Sequence, residues 1–151
     1  MPKRKLSATA DLDEQIGFQL RLAQLAVFSD IIEGLKACDL RPVDLSVLLI
    51  IEAHPGQRQH LIGDRLRIAR PNIAALVASL ETRDLIERIV DAQDRRANQL
   101  RLTPQGVAVL GAAKRVQDAH RARLLAVLEG VDLDNFMLGL TRLASLEKAE
   151  G

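Results

Sequence analysis

The chain has 151 residues, enough for one domain with a buried core, and pairs 48% hydrophobic content with only 2% aromatic residues. That balance points to helices packed through leucine, isoleucine, valine and alanine. A formal net charge of +1 is no argument for a polyanionic partner, so any such function must come from how the charges are distributed. A lone cysteine, Cys38, excludes an intramolecular disulfide and fits a reducing compartment.

In chain order, residues 1–10 open with Met1-Pro2-Lys3-Arg4-Lys5, a basic run without an apolar signal region, and read as a flexible basic arm. No apolar stretch approaches a membrane span, so a cytoplasmic protein is expected. From Leu12 to about Cys38, apolar residues recur at Leu12, Ile16, Leu20, Ala23, Val27, Ile31 and Leu35, which predicts one long helix. Phe18, Leu22, Leu25, Phe28 and Ile32 form a second apolar stripe beside the first. One helix then carries more hydrophobic surface than a single neighbour covers, which implies a partner chain. A second helix runs from Pro42 or Val43 to Ala53 and is closed by His54-Pro55-Gly56.

The run from Gln57 to Leu80 has a helix-turn-helix pattern. Leu61, Ile62, Arg65 and Leu66 lie on its first helix, and Ile73, Leu76, Val77 and Leu80 form the inner face of its second. Pro71 marks the first turn of that second helix and leaves Arg70, Asn72, Ala74, Ala75 and Ser79 toward the outside. Small residues there allow close approach to a groove floor. Arginine and asparagine are bidentate readers of guanine and adenine edges, so Arg70 and Asn72 are the side chains expected to specify sequence.

Glu87-Arg88-Ile89-Val90 and Gln99-Leu100-Arg101-Leu102 alternate polar and apolar residues at the period of a half-buried strand, so they predict a β-hairpin. Its loop, from about Asp91 to Asn98, carries Arg95 and Arg96, whose guanidinium groups suit phosphate or a narrow minor groove, with Asp94 placed to orient Arg96. Thr103-Pro104 supplies an N-cap hydroxyl and a proline at the first helical position. The helix it starts is expected to reach about Glu129 and to end at Gly130. Asp132 or Asp134 then caps a final helix carrying Leu133, Phe136, Met137, Leu140, Leu143 and Leu146. From Arg58 to Arg101 the chain places nine arginines against six carboxylates, a modest basic excess.

These residues resemble the MarR (multiple antibiotic resistance regulator) family of winged helix-turn-helix transcription factors. The wing signature of that family, Asp-x-Arg, five residues, Leu-Thr, two residues, Gly, stands here as Asp94, Arg96, Leu102, Thr103 and Gly106. The resemblance spans roughly Leu12 to Leu146, with its specific motifs in the centre. It implies a mainly α fold with a small β-hairpin wing. Residues 42–104 would form the reading head, and residues 12–38 and 104–148 the dimerisation helices of one domain, 1–151. It further implies that Pro71 to Ser79 enter the major groove of double-stranded DNA, with Arg65 beside them, while Arg96 enters the flanking minor groove. A homodimer would bind a pseudo-palindromic operator. Family members often answer to aromatic carboxylates or their coenzyme A thioesters, for which Phe28, Asp30 and His54 are the pocket candidates here.

Three positions depart from the family pattern. Gly63 falls inside the first helix of the motif, at a cost of roughly 1 kcal/mol relative to alanine, and predicts a less rigid helix. Asp84 stands where glycine is common, yet aspartate tolerates the left-handed conformation. Ala75 replaces a larger polar side chain and predicts weaker readout there.

Other function classes find little support in the residues. The chain has no phosphate loop, His-Glu-x-x-His helix or nucleophile elbow, so no enzymatic activity and no cofactor is expected. His54, His60 and His120 are scattered without a ligand cluster, which gives no metal site. Two alternatives to a ligand-responsive regulator stay open: a DNA-binding or protein-interaction module without an effector, and a redox sensor using Cys38.

Overall fold

A computed structural model describes residues 11–90, 93 and 98–146. Six helices and a three-stranded antiparallel sheet follow in the order α1 (Ile16–Leu35), α2 (Pro42–Ala53), β1 (Gln57–Arg58), α3 (Gln59–Leu66), α4 (Arg70–Thr82), β2 (Ile86–Val90), β3 (Asn98–Leu102), α5 (Pro104–Val127) and α6 (Leu133–Ala144). The expected mainly α architecture with a small wing is what forms. Among the described residues no helix is long and apolar enough to cross a membrane.

The core is built by residues spaced three and four apart on short helices. Leu45, Val47, Leu48, Ile50 and Ile51 of α2 are buried and meet Ile62 of α3, Ile73, Leu76, Val77 and Leu80 of α4, and Leu100 of β3. Leu110 and Ala113 close this core from the first half of α5, and Ile31 and Leu35 from the end of α1. All four residues assigned to the inner face of the second motif helix are therefore inside.

Gly63 lies on the side of α3 that faces α4. A Cβ there would come 3.1 Å from Ile73 Cγ2 and 3.2 Å from the Ile68 carbonyl oxygen. The sequence pattern suggested a loosened helix; instead the missing side chain lets α3 sit against α4, and the propensity cost is the condition of that packing.

Three boundaries differ from the sequence-based expectation. The first helix is not continuous from Leu12: a 3-10 turn at Leu12–Glu14 is followed by extended Gln15, and α1 starts at Ile16. The Gln19 side-chain amide donates to the Asp13 carbonyl at 2.7 Å, taking an acceptor that a continuous helix would use itself. Gln57 and Arg58 belong to a strand rather than to the helix-turn-helix. Gly56 turns the chain at φ 87° and its N–H donates to Leu100 O at 3.0 Å, so the next two residues pair with Leu100 and Gln99. Finally, α5 stops at Val127, short of Glu129, and Gly130 turns the chain at φ 79°.

β3 is the central strand, with β1 on one side and β2 on the other. Ile86 pairs with Leu102 and Val90 with Asn98, so β2 and β3 make the expected hairpin. The register puts Ile86, Leu100 and Leu102 toward the core while Glu87 and Arg101 stay exposed.

Candidate nucleic-acid interface

The second motif helix is positioned by its ends as much as by its inner face. Ala69 is extended (ψ 145°) and accepts from the N–H groups of Asn72 and Ile73, and proline sits in the first turn, where its missing N–H costs nothing. At the far end Asp84 adopts the left-handed conformation, φ 55°, the role its side chain was expected to tolerate.

The wing's exit is locked to that same corner. The Thr103 hydroxyl donates to Asp84 O at 2.5 Å and accepts from Gly106 N at 2.9 Å, while Thr103 N donates to Leu85 O at 3.2 Å. A Cβ on Gly106 would lie 1.9 Å from the Leu85 carbonyl oxygen. The Thr-x-x-Gly spacing therefore has a physical reason. Threonine caps α5 and ties it to the end of α4, and only glycine leaves room for the carbonyl between them.

Held this way, α4 turns Arg70, Pro71, Asn72, Ala75, Ala78 and Ser79 to solvent, and Ala74 is half-buried at the edge of the face. A helix whose outer surface is mostly alanine and short polar side chains presents its backbone closely to anything it lies along. Arg65 is exposed on α3. Gln59 and His60 join Arg70 and Ile73 around an open depression of about 310 Å³ at the start of α4. Sequence reading missed both, because their proximity to Arg70 depends on how α3 crosses α4. The Gln59 Oε1 atom is buried there and has no hydrogen-bond partner. Asp94, Arg95 and Arg96 lie outside the described residues.

Among the described residues, Arg67, Arg83 and Arg88 of the arginines counted as a basic excess are engaged within the chain. Arg67 Nη1 donates to Ala144 O at 2.6 Å, Arg83 reaches Asp39 and Asp44, and Arg88 Nε donates to Glu81 Oε2 at 2.8 Å. Among the described residues the basic side chains of this stretch with no such partner are Arg58, Arg65, Arg70 and Arg101, a narrower set than the sequence count.

The three effector candidates fall in different surroundings. Asp30, half-buried, accepts from Arg123 Nε at 3.0 Å and Nη2 at 2.8 Å and lies 2.5 Å from His120 Nδ1, joining α1 to α5. Arg123 first and His120 second hold its carboxyl below the ordinary carboxylate range. Phe28 is exposed on α1, and His54 is exposed at the C-cap of α2. Cys38 is half-buried against the core in the 3-10 turn after α1.

A helix-turn-helix whose second helix is exposed along a small-residue face, followed by a capped β-hairpin, defines a winged helix-turn-helix protein. A MarR-family model matches residues 39–97, from the turn before α2 through the helix-turn-helix and β2, and stops just before β3. A transcriptional repressor, CouR, bound to a 23-mer DNA duplex is 37% identical with TM-score 0.77, the match covering 93% of this chain and 97% of that one. CouR bound to p-coumaroyl-CoA is 34% identical with TM-score 0.80 over 94% and 100% of the two chains. A candidate transcriptional regulatory protein for the hcr operon of Thauera aromatica is 28% identical over 128 residues, 76% of this chain and 77% of that protein. The chain belongs to the MarR family.

Proposed function

We propose that this protein is a sequence-specific, double-stranded-DNA-binding transcriptional regulator acting as a homodimer. In this reading it is a repressor released from a pseudo-palindromic operator by a small aromatic acid or its coenzyme A thioester. The observation that carries the reading is the outer face of α4, where Arg70, Asn72 and Ser79 stand among alanines on a helix fixed at both ends. Arg70 and Asn72 would read base edges, Pro71, Ala74 and Ala75 would permit close approach to the groove floor, and Arg95 and Arg96, with Asp94 orienting Arg96, would follow phosphate or the minor groove.

The homodimer is supported by apolar surface left uncovered. Leu22, Leu25, Phe28 and Ile32 of α1 are exposed, as are Leu133, Phe136, Met137, Leu138 and Leu143 of α6. A protein rarely leaves so much contiguous apolar surface in water. Two-fold pairing through these helices would place two α4 helices about one DNA turn apart.

The effector class is supported by likeness to a repressor whose structure holds p-coumaroyl-CoA. A ligand seated among α1, α2 and α5 would act by changing the separation of the two recognition helices. The candidates for such a site remain Phe28, an exposed apolar side chain on α1, Asp30, whose ion pair a ligand would perturb, and His54, a polar group at the end of α2. Typical allosteric coupling of about 1–3 kcal/mol changes DNA affinity roughly 5- to 150-fold, enough for derepression.

Fluorescence-anisotropy titration against the DNA beside the protein's own gene, with excess nonspecific competitor, tests the reading. A panel of aromatic acids and their coenzyme A thioesters is then added. Competitor-resistant binding released by one compound is expected. Binding no stronger than to random DNA contradicts the proposal, and specific binding that no compound releases makes the protein an effector-free module.

A further inference from the structure

Two arginines at the ends of the motif's helices are bonded to other parts of the chain. Arg67, the left-handed C-cap of α3 at φ 54°, sends Nη1 to the Ala144 carbonyl in the last turn of α6, an acceptor that the helix leaves unpaired and that a cation at a helix C-terminus suits. Arg83, the C-cap of α4, donates through Nη2 to the backbone carbonyl of Asp39, which stands in the left-handed conformation at the junction of α1 and α2. Its Nη1 lies 3.7 Å from Asp44 Oδ2.

Asp44 is 1% exposed, and its carboxylate is already bound by Arg41 through N at 2.8 Å, Nε at 3.1 Å and Nη2 at 2.9 Å. Arg83 therefore adds a second cation to a satisfied carboxylate. Its removal leaves no buried charge unpaired, so its contribution to folding is small beside its contribution to where the end of α4 sits. One arginine thus ties the turn before the recognition helix to α6, and the other ties the end of that helix to the α1–α2 junction.

We propose that Arg67 and Arg83 are positioning residues that fix the recognition helix against the helices carrying the uncovered apolar faces, and so set specific DNA affinity without touching DNA. The inference rests on the DNA-binding reading above. In a two-fold dimer both recognition helices must meet their half-sites together, so loosening each one is felt twice at a specific site. It matters little on nonspecific DNA, where no register is required. A phosphate-contacting arginine behaves differently: its loss weakens all DNA and lowers the salt dependence by about one counterion per site.

The test compares wild type, Arg67→Ala, Arg83→Ala and Arg83→Lys. Anisotropy is measured on the duplex recovered by selection from a randomised library and on a scrambled duplex, each across a salt series, with thermal melts alongside. Expected are at least tenfold weaker specific binding by Arg83→Ala, a smaller loss for Arg67→Ala, unchanged scrambled-duplex affinity and an unchanged salt slope. Arg83→Lys keeps the charge without the fork and should recover part of the loss. Should Arg83→Ala fail to fold, Arg67→Ala, at an exposed position, decides the matter. Wild-type preference with unaffected variants, or a slope reduced in the variants, overturns the positioning role alone. A wild type that does not distinguish the two duplexes overturns the DNA-binding reading as well.

Discussion

The reading head and the outer helices solve opposite problems. α4 buries Ile73, Leu76, Val77 and Leu80 along one face and keeps only small or polar groups on the other. α6, of similar length, buries none of its residues, and α1 buries only Ile31 and Leu35 at its C-terminal end. The first region builds its core within one chain, and the outer face of α4 is small and polar. The second exposes leucine, isoleucine, phenylalanine and methionine in stripes, the surface on which the proposed homodimer would form. In the proposed dimer, specificity would be presented on a unit packed within one chain, while the helices open to change would be those that join two chains.

That contrast can be broken most severely at the joint between the regions. Gly106→Ala should destabilise the protein by about 3 kcal/mol or more, because the new methyl meets the Leu85 carbonyl oxygen at 1.9 Å and neither backbone segment can yield without breaking the Thr103 cap. Thermal melting checks this; a melt within a degree or two of wild type would mean that the corner is softer than its geometry indicates.

The second break leaves the reading head intact and removes the partner. Leu25→Asp combined with Phe136→Asp puts charges on two uncovered stripes. By light scattering after size exclusion the product should be a folded monomer, with specific DNA binding lost. A variant that stays dimeric would place the interface elsewhere.

A third comparison sharpens the roles within the proposed DNA surface. Asn72→Ala should cost about 1–3 kcal/mol, mainly at one base position, whereas Arg96→Ala should weaken binding to all sequences and flatten the salt dependence. Equal and negligible effects of the two would refute the assigned surface.

The smallest effect concerns the α1–α5 pairing. The Asp30 carboxyl titrates below its ordinary value in the folded chain, so its pairing with Arg123 and His120 stabilises the fold above the unfolded-state value and is lost as pH falls through the lower folded one. The difference in melting temperature between wild type and Asp30→Asn should therefore be present at pH 6 and shrink below about pH 4, where an unfolded aspartate protonates. A difference that persists unchanged at pH 3 would assign the effect to packing.

Much of this was legible from residue order alone, because the determinants are local. Thr103-Pro104 signals a helix start through one hydroxyl and one fixed φ, and the spacing of Ile73, Leu76, Val77 and Leu80 reports an inner face without knowledge of what it packs against. The features that were misread depend on contacts that the spacing of apolar residues does not report. Strand β1 exists because Leu100 accepts from Gly56, and Gly63 is a packing site because Ile73 comes to it. The charge count also overstated the free basic surface, since Arg67 and Arg83 find partners 77 and 44 residues away. Asp30 and His120 are 90 positions apart, and no spacing rule joins them.

The central claim, that two recognition helices of one dimer read DNA together, is tested most directly by selecting duplexes from a randomised library with wild type and with Asn72→Ala. The expected result is a pseudo-palindrome with half-site centres about 10–10.5 base pairs apart, degenerate at one symmetric pair of positions in the variant. No enriched sequence, or a single unrepeated site indifferent to Asn72, would contradict it.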